Sequence, residues 1–352
     1  LAGNIMNRGG IAIRLINLAK LVTGRIPGAL AHTNAVANML FGAISGSGTA
    51  AASAMGSIIG PIEAEEGYDA EFSAAANIAT APTGLLIPPS NVMITFSLVS
   101  GGTSVAALFM AGYIPGILWG LACMIVIYIF AMKKGYKSTS SFKGKEKLMV
   151  IWQALPSLLM IVIVIGGIIG GIFTATEGSV VAVVYTLILS LFFYKTIKFK
   201  DLPEIFLASA EMTGIIVFLI GVSSIMSWVM AFTDIPTLVS NALLGISNNK
   251  YVIFFIINII LLIVGTFMDM TPATLIFTPI FLPICQRLGM NVIHFGIMMI
   301  FNLCIGTITP PVGTTLFVGV KVGGTTIEKV IKPLLWYFAA IFAVLMLVTY
   351  VP

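Results

Sequence analysis

The chain has 352 residues, 59% of them hydrophobic and 9% charged, with a mean hydropathy of +1.08, where a soluble domain carries about 25% charged residues. This excludes a soluble globular protein and leaves nucleic-acid binding without support; the net charge of +5 speaks first to membrane topology. With no alternating barrel pattern, the fold class expected is an all-α integral membrane protein lying in a lipid bilayer.

Leu1 to Asn7 reads as the end of a scaffold helix rather than a signal peptide, so the native chain is expected to begin earlier. Arg8, Arg14, Lys20 and Arg25 punctuate an amphipathic segment that is too charged to span, and residues 1–25 therefore form a helix end plus a cytoplasmic interfacial arm. From Ile26 the chain enters the bilayer, and about 20 residues later it meets Ser45-Gly46-Ser47-Gly48-Thr49 in the middle of apolar sequence. Polar groups at membrane depth are costly and mark function. The chain then reaches Glu63-Ala64-Glu65-Glu66-Gly67-Tyr68-Asp69, expected back in water, so 26–66 reads as a re-entrant hairpin.

A small-residue helix from Ala70 runs into Gly84 and then Pro88-Pro89-Ser90-Asn91. Two prolines cannot donate backbone hydrogen bonds, so 70–100 is a broken helix. Thr103 to Met110 is expected along the surface. Spans follow at 114–132, 150–171, 178–194, 212–232 and 333–351, with Lys133, Lys134, Lys137, Lys143, Lys145 and Lys147 on one cytoplasmic loop and Lys195, Lys198 and Lys200 on the next. Glu177 reads as a solvated loop charge and Glu211 as a residue at the start of a span, favoured there by the helix dipole. The run Gly166-Gly167-Ile168-Ile169-Gly170-Gly171 suits close helix packing. Ile235 to Leu244 is a surface helix without a basic residue.

Writing Pro88-Pro89 over Pro310-Pro311 sets an offset of 222 residues (310 − 88). The same offset carries Thr49 to Thr271, Pro61 to Pro283, Gly67 to Gly289, Gly84 to Gly306 and Gly101-Gly102-Thr103 to Gly323-Gly324-Thr325, which is an internal repeat. Of the 18 basic residues only Lys250 and Arg287 fall on the outer side by this threading. The second copy, with hairpin 249–288 and broken helix 291–322, is therefore expected in inverted orientation, as in secondary transporters.

The offset singles out four non-helical places near mid-membrane: tips 45–49 and 266–271, and breaks 84–91 and 306–313. They are expected to converge in pairs. Ser45, Ser47, Thr49, Ser90, Asn91 and the carbonyls around Gly46, Gly84 and Pro88 offer neutral oxygen, which suits a hard monovalent cation such as Na⁺. The second pair offers Thr266, Asp269, Met270 and Thr271 with Gly306, Thr309 and Gly313. These give at least two sodium sites, and no transition-metal site, since His and Cys are absent from all four stretches. Asp269 has two readings, which can both hold: an N-cap of the helix starting at Thr271, or a group for cation coordination or conformational coupling. His32 and His294 read as structural or interfacial histidines rather than proton relays, the 18 methionines as core filler, and Cys123, Cys285 and Cys304 as buried apolar residues without disulfides. Neither an organic cofactor nor an enzyme activity is expected. Ser47 in Gly46-Ser47-Gly48 lacks the GxSxG frame of an intramembrane hydrolase, because position 45 is Ser, and a passive channel suits two hairpins with proline breaks less well than an occluded, alternating site.

The stretches SGSGTAAASAMGSIIGP, ATAPTGLLIPPSN, GTFMDMTPATLIFTPIFLP and GTITPPVGTT resemble the large membrane subunit of TRAP (tripartite ATP-independent periplasmic) transporters, most closely those of sialic acid systems. The resemblance covers essentially the whole chain. It implies sodium-driven uptake of an organic acid, such as N-acetylneuraminate, across a bacterial inner membrane. The implied partners are a periplasmic substrate-binding protein and a small four-helix-type membrane subunit, separate or fused. It also implies an elevator. Its mobile domain would be 26–111 plus 249–332, moving against a scaffold made of 1–25, 112–248 and 333–352. Substrate is then expected between the tips, near Ser45, Ser47, Asn91, Thr309 and Thr314. No Arg or Lys is expected at mid-depth, so a substrate carboxylate would meet hydroxyls, backbone N–H groups and helix N-termini. A stand-alone sodium–carboxylate symporter of the same superfamily is the alternative.

Overall fold

A computed structural model describes residues 1–136, 144–247 and 249–351. Lys137 and Lys143 of the expected basic loop lie outside the described residues. Among the described residues there are helices and turns and no strand.

Two short helices, α1 (Ala2–Arg8) and α2 (Ile11–Thr23), open the chain and are parted at Gly10, whose φ of 67° is left-handed. Along α2 the residues Ile11, Leu15 and Ala19 recur at helical spacing and are buried, while the Arg14 guanidinium stacks 3.5 Å over the Tyr194 ring. The first repeat comprises α3 (Ala29–Ser45), α4 (Gly48–Glu65), α5 (Ala70–Thr80), α6 (Thr83–Leu86) and α7 (Asn91–Val99). Long helices follow: α8 (Val105–Lys134), α9 (Gly144–Ile169), α10 (Ala175–Ile188), which runs on into a π-helical turn, and α11 (Leu202–Phe232). After α12 (Ile235–Ile246) comes the second repeat, α13 (Lys250–Phe267), α14 (Met270–Arg287), α15 (Val292–Gly306) and α16 (Thr314–Val322), and α17 (Ile327–Tyr350) closes the chain.

Among the described residues six helices are long and apolar enough to cross a membrane, which makes this a multi-pass membrane protein. Five coincide with the expected spans to within a few residues at their C-terminal ends. The sixth is α13, whose 18 residues extend about 27 Å, close to the hydrocarbon thickness of about 30 Å.

Several expectations are corrected. Thr103 to Met110 is no surface segment, because Ser104 caps a helix that runs unbroken from Val105 to Lys134, so the boundary expected at 111 falls inside α8. Glu211 lies well inside α11 rather than at its start. Glu177 forms a capping box with Thr174 at the start of α10, its carboxylate accepting from the Thr174 N–H and hydroxyl. The glycine run ends α9 and turns the chain, with Gly171 at φ 69° and the Phe173 ring seated on Gly167. Glu63, expected in water, is 1% exposed. It follows Ala52, Gly56 and Ile59 on the buried stripe of α4, which continues past Pro61 for one more turn.

The repeat governs the packing. In each copy the first limb lies on its own broken helix, α3 on α5 and α6, α13 on α15. The second limbs cross over: α4 packs against α16 of the other copy, and α14 against α7. Between them, Trp119 of α8 is fully buried, donates to the Ala79 carbonyl at 2.8 Å and packs against the tilted ring of Phe301 of α15 at 4.7 Å. All three cysteines are free and buried.

Candidate functional site

In the first copy, α3 ends at Gly46, which adopts φ 62° and donates its N–H to the Gly42 carbonyl. Glycine is needed here because only it enters the left-handed region without strain. Ser47 then caps α4, its hydroxyl accepting from the Ala50 N–H at 3.3 Å and lying 3.1 Å from the Thr49 hydroxyl, while Ser45 donates toward the Ser47 carbonyl at 3.5 Å. The break opposite spans 87–90, bends the helix pair by 47° and contains the cis Pro88–Pro89 bond. Ser90 spans it, donating to the Leu85 carbonyl at 2.5 Å.

These two places meet. A β-carbon added to Gly46 would lie 3.2 Å from Asn91 Nδ2 and 3.5 Å from the Pro89 carbonyl. One turn deeper, a β-carbon on Gly42 would lie 2.7 Å from Gly84 Cα, so the helix backbones touch. Beneath that contact Asn38 donates to Asn34, Asn77 and Thr80, all buried, and locks α3 to α5.

The second copy repeats the plan with different parts. Met268 and Asp269 are both extended, and Asp269 stands at the N-cap of α14, yet its side chain makes no cap hydrogen bond. Break two contains the cis Pro310–Pro311 bond, and the Val312 N–H donates to the Thr266 carbonyl at 3.2 Å, tying break to tip directly. The Thr315 N–H closes onto the Thr307 carbonyl at 2.9 Å, and Thr309 donates to the Ile305 carbonyl at 2.7 Å. A β-carbon on Gly306 would lie 2.5 Å from the Gly265 carbonyl carbon. Asn302 donates to the Asn258 carbonyl and side chain at 2.9 and 2.8 Å.

Tip one also reaches the other copy. A β-carbon on Gly48 would lie 3.3 Å from the Thr315 hydroxyl, beside Thr314. Of the residues expected at the two sites, Ser45, Ser47, Thr49, Thr266, Met270, Thr271, Gly306, Thr309, Gly313 and Thr314 are half-buried or buried, while Asn91 and Asp269 are exposed. Of the histidines, His294 bonds the Val348 carbonyl at 2.7 Å, and His32 is 2% exposed within α3. Among the described residues no group of three or more His, Cys, Asp or Glu could hold a metal ion. The Gly42–Gly84 and Gly265–Gly306 contacts were missed from sequence; paired glycines on adjacent apolar helices were the available signal.

By fold and site the chain is a multi-pass helical membrane protein whose two copies each place unwound backbone beside a polar helix turn. The family model described as "Tripartite ATP-independent periplasmic transporter, DctM component" matches residues 1–352, and the chain belongs to that family of TRAP large permease subunits. It is 55% identical over its full length to the uncharacterized protein YgiK of Salmonella typhimurium, covering 81% of that protein. It is 40% identical to the isethionate TRAP transporter permease DctMQ of Oleidesulfovibrio alaskensis, again over the whole chain, which spans 55% of that longer protein. It is 34% identical to the sialic acid TRAP transporter large permease SiaM of Vibrio cholerae, covering all of this chain and 82% of SiaM. The chain is therefore a transporter permease and not an enzyme. The family supports secondary transport of organic acids and implies a substrate-binding protein and a small membrane subunit as partners.

Proposed function

We propose that the chain is the membrane part of a sodium-coupled uptake system in a bacterial inner membrane. Its substrate is an organic acid, N-acetylneuraminate in the finer reading, handed over by a periplasmic binding protein. The observation that carries this reading is the duplicated junction: Gly46 against Asn91 and Pro89, and Thr266 against Val312. Each sets hydroxyls and backbone oxygens around unwound chain, the donor set of a sodium cage. Na⁺ would be held by Ser45, Ser47, Thr49, Asn91 and the Gly46, Gly84 and Pro88 carbonyls in one copy. In the other it would be held by Thr266, Asp269, Met270, Thr271, Gly306, Thr309 and Gly313.

The substrate anion would lie between the tips near Ser45, Ser47, Asn91, Thr309 and Thr314, where the N-termini of α7 and α16 favour negative charge. The paucity of basic residues on one side in the threading supports inverted copies, and the resemblance to TRAP large subunits is what suggests re-entrant hairpins and an elevator in which 26–111 and 249–332 move together. The organic-acid class is supported by the relatives named for isethionate and for sialic acid. The choice of sialic acid rests on the resemblance of the motifs. The small partner is read as a four-helix-type subunit.

The test is uptake into liposomes holding this chain with its small subunit and the cognate binding protein. Labelled N-acetylneuraminate, isethionate and dicarboxylates should enter selectively, and only down an inward sodium gradient. Uptake indifferent to collapse of that gradient overturns the coupling. Uptake without the binding protein points to a stand-alone symporter.

A further inference from the structure

The last turn of α4 carries Glu63 into the protein. Its carboxylate is 1% exposed, and neither oxygen has a hydrogen-bond partner; Ser73 of α5 faces it without completing a bond. Glu63 borders a cavity of about 230 Å³ together with Asn34 of α3, Tyr68, Ser73 and Asn77, and the turn 322–324 that ends α16. Three more buried polar atoms there lack a partner: Asn34 Nδ2, the Tyr68 hydroxyl and the Ser73 hydroxyl. Buried polar atoms are almost always bonded, and unbonded ones grouped around one space point to an occupant.

The electrostatics say what kind. Among the described residues no Lys, Arg or His borders the cavity. The titratable groups acting on Glu63 or acted on by it are Glu66, Tyr68 and Tyr337 of α17, and none is basic. The C-terminal ends of α4 and α16 both face the space, and helix C-termini add partial negative charge. A buried carboxylate in such surroundings has to be neutralised by something other than the protein.

The mirrored position argues that the fold itself does not require this group. The 222-residue offset takes Glu63, Tyr68, Ser73 and Asn77 to Cys285, Met290, Phe295 and Met299, all buried and without formal charge. The second copy fills the equivalent place with packed side chains, whereas the first leaves a polar space.

We propose that the Glu63 cavity is a monovalent-cation site, distinct from the tip–break junctions, in which the carboxylate takes a proton or Na⁺ together with Ser73 and Tyr68. It sits between α4 of the first copy and the end of α16 of the second, so its occupant bridges the two.

Infrared difference spectroscopy on the complete transporter complex tests this, because it reads the carboxyl group itself and not uptake, and so stands apart from the coupling reading above. In sodium-free choline buffer the wild type should show a protonated-carboxyl C=O band that is absent from Glu63→Gln. Loss of the band on adding Na⁺ at constant pH identifies sodium as a ligand. Loss only on raising the pH, with Na⁺ without effect, identifies the proton. Glu63→Cys, which copies the mirrored position, controls for folding and should also lack the band. The proposal is overturned if no band depends on Glu63 at any pH and Na⁺ leaves the wild-type spectrum unchanged.

Discussion

The two tips occupy matching positions and solve the same problem differently. Tip one is made of small residues: Gly46 turns in the left-handed region, Ser47 caps α4 with its own hydroxyl, and Asn91 lies against the turn. Tip two turns through extended Met268 and Asp269 with no side-chain cap, and is held by a backbone bond from Val312 to Thr266. Tip one is therefore held in shape by its own side chains and touches its break, while tip two is tied to its break through main chain. A tip shaped by side chains responds to small substitutions, whereas a backbone tie leaves the acidic side chain of tip two for another role.

The largest expected effect comes from the glycine contacts, where the comparison is sharpest. Gly84→Ala drives a methyl into the Gly42 backbone, and Gly306→Ala places one 2.5 Å from Gly265. Both should destabilise toward the upper end of the roughly 1–3 kcal/mol typical of overpacking, with Gly84→Ala the worse. Gly265→Ala, at 3.2 Å from Gly306 Cα, should cost least. Thermal unfolding of the purified complex gives the order, and equal losses at all three would show the contacts to be slack.

Next, the asparagine networks differ in reach. Asn38→Ala strands partners on α3 and α5 and should cost about 1–3 kcal/mol; Asn302→Ala releases only Asn258 and should fall at the lower end in the same unfolding measurement. For ion dependence the order reverses. If Asp269 is a ligand, Asp269→Asn should raise the half-saturating sodium concentration for uptake by about tenfold, equivalent to about 1.4 kcal/mol; an unchanged sodium curve would leave it a positional N-cap. Ser47→Ala loses a cap bond of about 1 kcal/mol and should weaken sodium activation less.

The smallest effect concerns the turn after each hairpin. In copy one the Lys134 ammonium, 2.8 Å from Asp69, holds that carboxyl below the usual range, and Tyr136 accepts the Asp69 N–H. Copy two caps the corresponding turn with Asn291 alone. Asp69 therefore contributes stability above the ordinary carboxylate range, lost as pH falls through its lowered folded value. Lys134→Ala should shrink this acid-side loss slightly, since both partners are about half exposed and screened.

Much of this was legible in the chain. Paired prolines cannot sit in an intact helix, and Pro88-Pro89 and Pro310-Pro311 fixed both the breaks and the offset that located the tips. Of the six membrane-length helices among the described residues, hydropathy located all but α13, which the repeat offset made a hairpin limb. What escaped was tertiary. Gly42 was one glycine among 35 until Gly84 came against it. Glu63 was placed in water by its neighbours Glu65 and Glu66, although its spacing from Ala52, Gly56 and Ile59 set it on the buried stripe. Helix starts at Val105 and Leu202 were misjudged because hydropathy windows report where a helix is apolar, not where it is capped.

The crossed packing of α4 on α16 and α14 on α7 has a consequence for how the protein is made. Each second limb packs partly on its own copy and leaves a further face for the other, so during synthesis the face of α4 that meets α16 and the face of α7 that meets α14 wait until the second copy has emerged. Cut into two chains between the copies, the halves should be recovered together or not at all.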